Sequence, residues 1–387
     1  MQKNIQGKTI HSVLKLPIQH GKEPEYKELS NRVLQQLRCQ VRNVHTLVID
    51  EISIVSNSML IYIHRRLCAI KQNNEYFGGM NIILIGDFFQ LKPIRGQFAF
   101  TNTLLSSLFD NFILNTNVRQ ATDVSYSLLL SRIRQGKILR SDIDILLTRM
   151  IADDDERFIG ALRVFPTVRE VTEYNKMKQE HLNKHCIQHV AAHEFHSTDT
   201  GVNDCIDNFI PNDDRDAGGL PRVLSLSPGT RVMLIRNIAT DQGLVNGALG
   251  FVKTCYFENG QLLSIYVQFD DETIGSAFYN SEHNAIGIEQ ISQEFYFEGR
   301  SISRTQFPRL PAWACTIHKV QGISTDKIVV SLGKTVFAEG QFYVALSRVR
   351  TLNGLGILSL DPSRVKADKK VITFYENLSL DCKHIHN

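Results

Sequence analysis

An α/β fold with parallel sheets is what this sequence predicts, and three observations carry it. Short β-branched runs recur at Thr46-Leu-Val-Ile-Asp50, Asn81-Ile-Ile-Leu-Ile85, Leu162-Arg-Val-Phe165 and Lys327-Ile-Val-Val330, nearly unbroken in apolar residues as buried parallel strands are. Helical patterns lie between them, at Leu60 to Ile70 and Ser125 to Ile133, with apolar residues three and four apart. The strands fall into two groups, before about residue 115 and after about residue 160, so two sheets are expected rather than one.

Between about residues 222 and 308 the pattern changes. Arg231-Val-Met-Leu-Ile235, Gly250-Phe-Val252, Leu263-Ser-Ile-Tyr-Val-Gln-Phe269 and Glu294-Phe-Tyr-Phe297 are short strands separated by Gly, Asn and Asp turns. That spacing predicts a small antiparallel barrel. Because α/β patterning resumes at Ala312, the barrel is expected as an insertion in the second α/β domain. The Gly- and Asp-rich stretch 199–219 reads as a mobile polar link.

The totals constrain the protein class more than the function. At 387 residues there is room for two or three domains, and 43 basic against 40 acidic residues neither requires nor excludes nucleic acid. Seven dispersed cysteines with no CxxC pair suggest reduced thiols rather than a disulfide framework. No apolar run approaches a membrane span, and the polar start MQKNIQGKTIHS is unlike a secretory signal, so a soluble, intracellular protein is expected.

Four segments carry chemistry. Val48-Ile49-Asp50-Glu51-Ile52-Ser53 is an apolar strand ending in two carboxylates, at the end of a parallel sheet where ligands bind. In phosphoryl transfer such an Asp holds magnesium and its neighbour orients or deprotonates water, although a strand followed by a polar turn gives the same hexamer. Ile82-Ile-Leu-Ile-Gly86-Asp87-Phe88-Phe89-Gln90-Leu91-Lys92-Pro93 is a second strand whose tip would share that cleft, with Gln90 placed to sense a phosphate or a positioned water. It follows the first by about one crossover unit, roughly 30 residues, which makes the pair more informative than either alone. Thr316-Ile-His318-Lys319-Val320-Gln321-Gly322 supplies donors for phosphates and bases in a Gly-terminated turn. Tyr343-Val-Ala345-Leu346-Ser347-Arg348 is an amphipathic helix that ends in a guanidinium, the group that stabilises a transferring phosphoryl in many nucleotide-driven machines.

Together these segments resemble the petite-integration-frequency DNA helicases of superfamily one B, relatives of RecD, over about residues 7 to 360. The resemblance implies two RecA-like parallel-sheet domains with a small inserted SH3-like β-barrel. The first domain, 1–118, would be incomplete; the second would span 119–221 and 309–387, with the barrel at 222–308. It implies ATP and Mg2+ as cofactors, with magnesium on Asp50, water activation by Glu51 and γ-phosphate sensing by Gln90. Asn117-Val118-Arg119-Gln120 is similar to the family's Phe-Arg-Gln motif, making Arg119 a candidate arginine finger and Arg348 a second; Val118 departs from the usual aromatic. Gly86, Asp87 and Gly322 are implied at the nucleotide. Lys8-Thr9-Ile10-His11-Ser12 looks like a DNA-contacting motif, so His11, Ser12, His318, Lys319 and Gln321 are implied on DNA, with Val320 where the family usually has Ser. The segment from Gly229 to Gly250 resembles the entry into the inserted barrel.

The implied function is an ATP-dependent helicase moving 5′ to 3′ on single-stranded DNA and at forks, in repair, recombination or telomere maintenance, in nucleus or mitochondrion. One part of the pattern is missing. Gly7-Lys8-Thr9 is not a phosphate-binding GxxxxGK[ST] loop, because the pattern needs Gly where Gln2 stands. An N-terminally truncated motor, inactive on its own, is therefore the expectation; the alternative is a catalytically dead, helicase-like DNA-binding remnant. A GTPase-like switch lacks any guanine-specifying motif. The series His181, His185, His189 and His193 invites a metal reading at i, i+4 spacing, but a solvated basic segment is the better expectation.

Overall fold

The structure, a computed structural model, describes residues 7–17, 25–94, 96–102, 107–182, 186–195, 205–214, 216–298 and 300–381. It divides into two units, one built from Lys8–Val168 and Thr316–Asn387, the other from Arg169–Cys315.

The first unit opens with α1 (Ile10–Leu14), α2 (Asn31–Gln40), β1 (Thr46–Ile49), α3 (Asn57–Lys71), β2 (Asn81–Leu84), α4 (Val124–Arg134), α5 (Arg140–Leu147) and β3 (Leu162–Phe165). β1 and β2 run parallel, in register from Thr46–Asn81 to Ile49–Leu84. Parallel strands need a crossover, and α3 supplies it. Ser56 caps that helix, its Oγ accepting the Met59 N–H at 3.1 Å. Leu60, Ile63, Leu67 and Ile70 then bury one face at helical spacing, against Ile49, Ile52, Leu14 and Leu37. The helix ends where Gln72 turns left-handed and its N–H reaches the Cys68 carbonyl.

The second unit contains α6 (Val168–His181), β4 (Ile187–Val190), β5 (Ala192–Phe195), β6 (Val223–Leu226), β7 (Arg231–Leu234), β8 (Leu249–Glu258), β9 (Gln261–Phe269), β10 (Tyr279–Asn280), β11 (Ala285–Glu289), β12 (Ile291–Phe297), β13 (Arg300–Gln306) and β14 (Arg309–Pro311). Pairing among these strands is antiparallel, as expected. Their hydrogen-bonded order is open at both ends, β10-β11-β9-β8-β7-β14, rather than closed into the expected barrel. The chain turns at Gln290, so β12 leaves that sheet, pairs with β13, and β13 pairs with β5 from upstream of residue 222. Gly250 allows β8 to lie against β9, since a Cβ there would sit 2.5 Å from the Gln268 carbonyl oxygen.

Two sequence expectations change here. The link at 199–219 is held down where it is described, while residues 199–204 and Arg215 lie outside the described residues. Asp214 accepts from the fully buried Arg304 guanidinium at 2.6 Å, and Ala217 is fully buried. An ion pair and apolar burial fasten a segment whose composition alone reads as loose. The helical spacing of the histidine series is not realised: α6 ends at His181, His189 and His193 sit on β4 and β5, and His185 lies outside the described residues.

The chain then runs through β15 (Ala314–Thr316) and, in the first unit, β16 (Ile328–Leu332), α7 (Gln341–Leu346), β17 (Leu355–Leu360) and α8 (Lys369–Asp381). β16 lies parallel between β3 and β17. Val164, Val329, Val330, Leu332 and Ile357 are each fully buried there, which explains why these strands read as unbroken apolar runs. Among the described residues no helix is long and apolar enough to cross a membrane.

Leu67 is 1% exposed in the α3 core. Leu67→Ala should lower unfolding stability by about 2–5 kcal/mol, read from the shift in urea midpoint at constant slope.

Candidate active site

Asp50 and Glu51 leave the tip of β1 at the carboxyl end of the strand. Asp50 is exposed, and its Oδ1 accepts the Glu51 N–H at 2.9 Å. Glu51 adopts φ 55 and ψ 47, the left-handed region that side chains other than Gly rarely occupy. The Ile52 N–H donates to the Ile85 carbonyl at 3.0 Å and so carries the β1–β2 pairing past this kink. Gly86 follows at φ 154, where a Cβ would stand 2.8 Å from the Ile52 nitrogen. Only glycine lets the two strand tips come this close.

Asp87 has a firmer partner than a nucleotide. Both of its carboxylate oxygens accept from Arg134, at 2.8 and 2.7 Å, and Oδ1 also accepts the Phe89 N–H and the Tyr375 hydroxyl. The Arg134 guanidinium lies 4.4 Å from the Phe89 ring centroid, and Phe89 stacks on Tyr375 with centroids 4.8 Å apart. The Tyr375 oxygen accepts the Phe88 N–H at 3.2 Å. The β2 tip is thus clasped between α4 and α8. Gln90 sits beyond this clasp with its Oε1 buried and without a hydrogen-bond partner. A Cβ on Gly340, at the start of α7, would lie 2.6 Å from the Gln90 carbonyl oxygen, so that helix abuts the loop carrying Gln90.

The turn at 317–322 reaches back to β1. Gln321 Nε2 donates to Glu51 Oε2 at 3.0 Å and to Ser53 Oγ at 3.3 Å. This partner differs from the DNA implied for Gln321 by resemblance. A Cβ on Gly322 would have Glu51 Oε1 as its neighbour at 3.7 Å. Val320 is fully buried, which suits an apolar residue at that position, while Val118 is 79% exposed.

The two arginines stand together. Arg119 and the Gln120 amide both donate to the Ser347 carbonyl, at 3.2 and 3.3 Å, and Gln120 also reaches the Val349 carbonyl at 2.6 Å. Arg348, buried, donates to the Val344 carbonyl at 2.8 Å and to Ser347 Oγ at 2.7 Å. Among the described residues no carboxylate lies within ion-pair distance of either guanidinium. Burial, with Arg119 adding repulsion, pulls the Arg348 pKa down to about 10; Glu51 and Asp87 oppose this from a distance. Arg348 is thus still a cation at neutral pH, in a setting that favours an anion beside it. Burial, with Asp87 adding to it, pushes the nearby Tyr343 hydroxyl up to about 12, so it stays protonated.

The residues implied on DNA are placed unevenly. His11 is half-buried and Ser12 exposed on α1; burial lowers the His11 pKa. His318 and Lys319 are exposed. Ser53, Arg134, Tyr343 and Tyr375 were missed by motif reading. Arg134 lies at helical spacing within α4, but nothing in its neighbourhood names Asp87 as its partner across 47 residues.

Comparison with known proteins agrees with this arrangement. A family model described as PIF1-like helicase matches residues 3–142, and one described as the 2B domain of DNA helicase Pif1 matches residues 216–254. The ATP-dependent DNA helicase PIF1 of Mus musculus is 31% identical over 97% of this chain and 54% of its own length. The crystal structure of Pif1 helicase from Candida albicans matches with a TM-score of 0.76 at 27% identity, over 98% of this chain and 86% of that one. A Bacteroides Pif1 helicase, crystallised with ADP-AlF3 and ssDNA, matches with a TM-score of 0.68 at 25% identity, over 98% and 85% of the two chains. The chain spans about half the length of the curated relatives it matches.

Arg134 and Asp87 are 27% and 17% exposed. Arg134→Met should leave the Asp87 carboxylate without its cation and cost roughly 2–3 kcal/mol in urea unfolding, while Arg140→Met, on an exposed pair, should cost under about 0.5 kcal/mol.

Proposed function

Because the chain belongs to the PIF1-like helicase family, we propose that its 387 residues form the larger part of an ATP-driven motor that moves 5′ to 3′ along single-stranded DNA. The observation that carries the reading is the hydrogen bond from Gln321 to Glu51. It joins the turn before β16 to the carboxylate pair at the tip of β1, two segments 270 residues apart.

In this reading Glu51 orients and deprotonates the attacking water, and Gln321 holds its carboxylate in place. Glu51 keeps its strained backbone because the Ile52–Ile85 hydrogen bond fixes the residues that follow. Asp50 fits a magnesium ion: it is exposed and only one of its oxygens is engaged, by a single N–H. One carboxylate together with substrate phosphates is a usual magnesium site, and the ion when bound draws charge from those phosphates. Arg119 and Arg348 supply positive charge to the transferring phosphoryl, which their mutual repulsion and burial favour. Gln90, with its unpartnered Oε1, senses the γ-phosphate or its water. His11, Ser12, His318 and Lys319 take the DNA strand. Forks as substrate, work in repair, recombination or telomere maintenance, and a nuclear or mitochondrial address belong to the same proposal.

No GxxxxGK[ST] segment occurs in these residues, so an amide cradle and its lysine must be supplied for hydrolysis. The 387-residue chain alone should hydrolyse ATP at background rate and still bind single-stranded DNA, with affinity that falls steeply as salt rises. Joined in frame to a strand bearing such a loop, it should hydrolyse ATP in a DNA-stimulated manner. Glu51→Gln should then cut kcat by roughly 10²–10⁴ with nucleotide binding retained, and Arg348→Ala by roughly 10³. Hydrolysis that survives Glu51→Gln would remove the assignment of the water-activating carboxylate. DNA binding with no hydrolysis after the loop is supplied would favour the binding remnant.

A further inference from the structure

We propose that Phe337, with His318 beside it, forms a platform on which one unpaired nucleobase of single-stranded DNA stacks; the proposal rests on the DNA-motor reading above. Phe337 lies on the loop between β16 and α7 and is 66% exposed, although both Val336 before it and Gly340 after it are buried. A singly exposed aromatic is ordinary on a protein surface. Here three further observations set this one apart.

The first is rigidity. The Phe337 and Ala338 N–H groups both donate to the Oε1 of Gln341, at 3.0 and 3.2 Å, and Gln341 is fully buried. Gly340 then turns at φ 79, and its close approach to the Phe89 and Gln90 carbonyls fixes the loop against the β2 tip. The ring is therefore presented outward by a fixed turn, and little side-chain or backbone entropy remains to be lost when a partner arrives.

The second is alignment. The exposed His318 ring lies nearly parallel to Phe337, at 21° with centroids 6.4 Å apart. Two flat rings from separate loops thus present a common orientation. The third is charge: Lys319, next to His318, and Lys334, three residues before Phe337, are both exposed. A π-face flanked by cations is the arrangement that binds single strands without reading sequence, because every base has a face to stack and every nucleotide a phosphate. The placement of Gly340 against Gln90 also puts the platform one turn of chain from the residue assigned to the γ-phosphate.

The test measures binding of a labelled oligo-dT of about 15 nucleotides to the 387-residue chain by fluorescence anisotropy across a salt series. Phe337→Ala and Phe337→Leu should each weaken binding roughly tenfold at every salt concentration, with the salt slope unchanged. Lys319→Ala should instead flatten the slope by about 0.7. Phe337→Trp, in a Trp313→Phe background that makes the new indole the sole tryptophan, should keep wild-type affinity and lose emission when the oligonucleotide is added. An abasic strand of equal length should bind wild type and Phe337→Ala alike. Equal oligo-dT affinity of wild type and Phe337→Ala, with the wild-type salt slope intact, overturns the platform and leaves the motor reading standing. Failure of the wild-type chain to bind oligo-dT even at low salt overturns both.

Discussion

The arrangement depends on the backbone pairing of β1 with β2. Two hydrogen bonds continue that pairing past the strand ends, from the Ile85 N–H to the Ile49 carbonyl at 2.8 Å and from the Ile52 N–H to the Ile85 carbonyl at 3.0 Å. Between them they fix where Asp50, Glu51 and Gly86 stand. Side chains alternate across a strand, so a slip of one residue would turn Asp50 away and drive Ile49 out of the core. Burial of Ile49 at 4% exposure opposes that slip, and the absence of a side chain at Gly86 permits the close approach. Apolar burial thus sets the register, and the register sets the chemistry.

Electrostatics then divides the charged groups by task. Asp87 and Arg134 neutralise one another in a bidentate pair and serve to hold the β2 tip between α4 and α8. Arg119 and Arg348 have carbonyl and hydroxyl acceptors instead, so their charge is not cancelled locally. Keeping a guanidinium buried on these terms costs stability, and the depressed Arg348 pKa expresses that cost. A developing phosphoryl charge would offset it, which is how a site gains more from the transition state than from the resting protein. The same logic extends to Glu51, whose left-handed backbone is held by its neighbours rather than preferred by the residue.

The turn from Thr316 to Gly322 serves two surfaces. Gln321 faces Glu51, while His318 and Lys319 are exposed. A change at one surface can reach the other through six residues of chain. Gly340 makes a similar link between the loop of Phe337 and the carbonyl of Gln90. These short covalent paths are the physical elements through which nucleotide state and strand contact can bias one another, provided each has two arrangements.

Much of this was legible in the sequence. The unbroken apolar runs of β1, β2, β3 and β16 reported burial on both faces, because only strands covered on both sides carry so little polarity. Asp50-Glu51, Gly86 and the Tyr343–Arg348 segment were legible because chemistry demands particular residue types at fixed distances from a strand or helix end. What tertiary structure decided was partnership. Nothing local distinguishes the carboxylate of Asp87, which binds Arg134, from that of Asp50, which stays exposed. Gln321 met Glu51 and not solvent because the fold carries its loop across 270 residues of sequence to β1. The antiparallel strands were visible by alternation, but which edge each one joins was not. Alternation reports which face is buried, and pairing depends on the path of the whole chain.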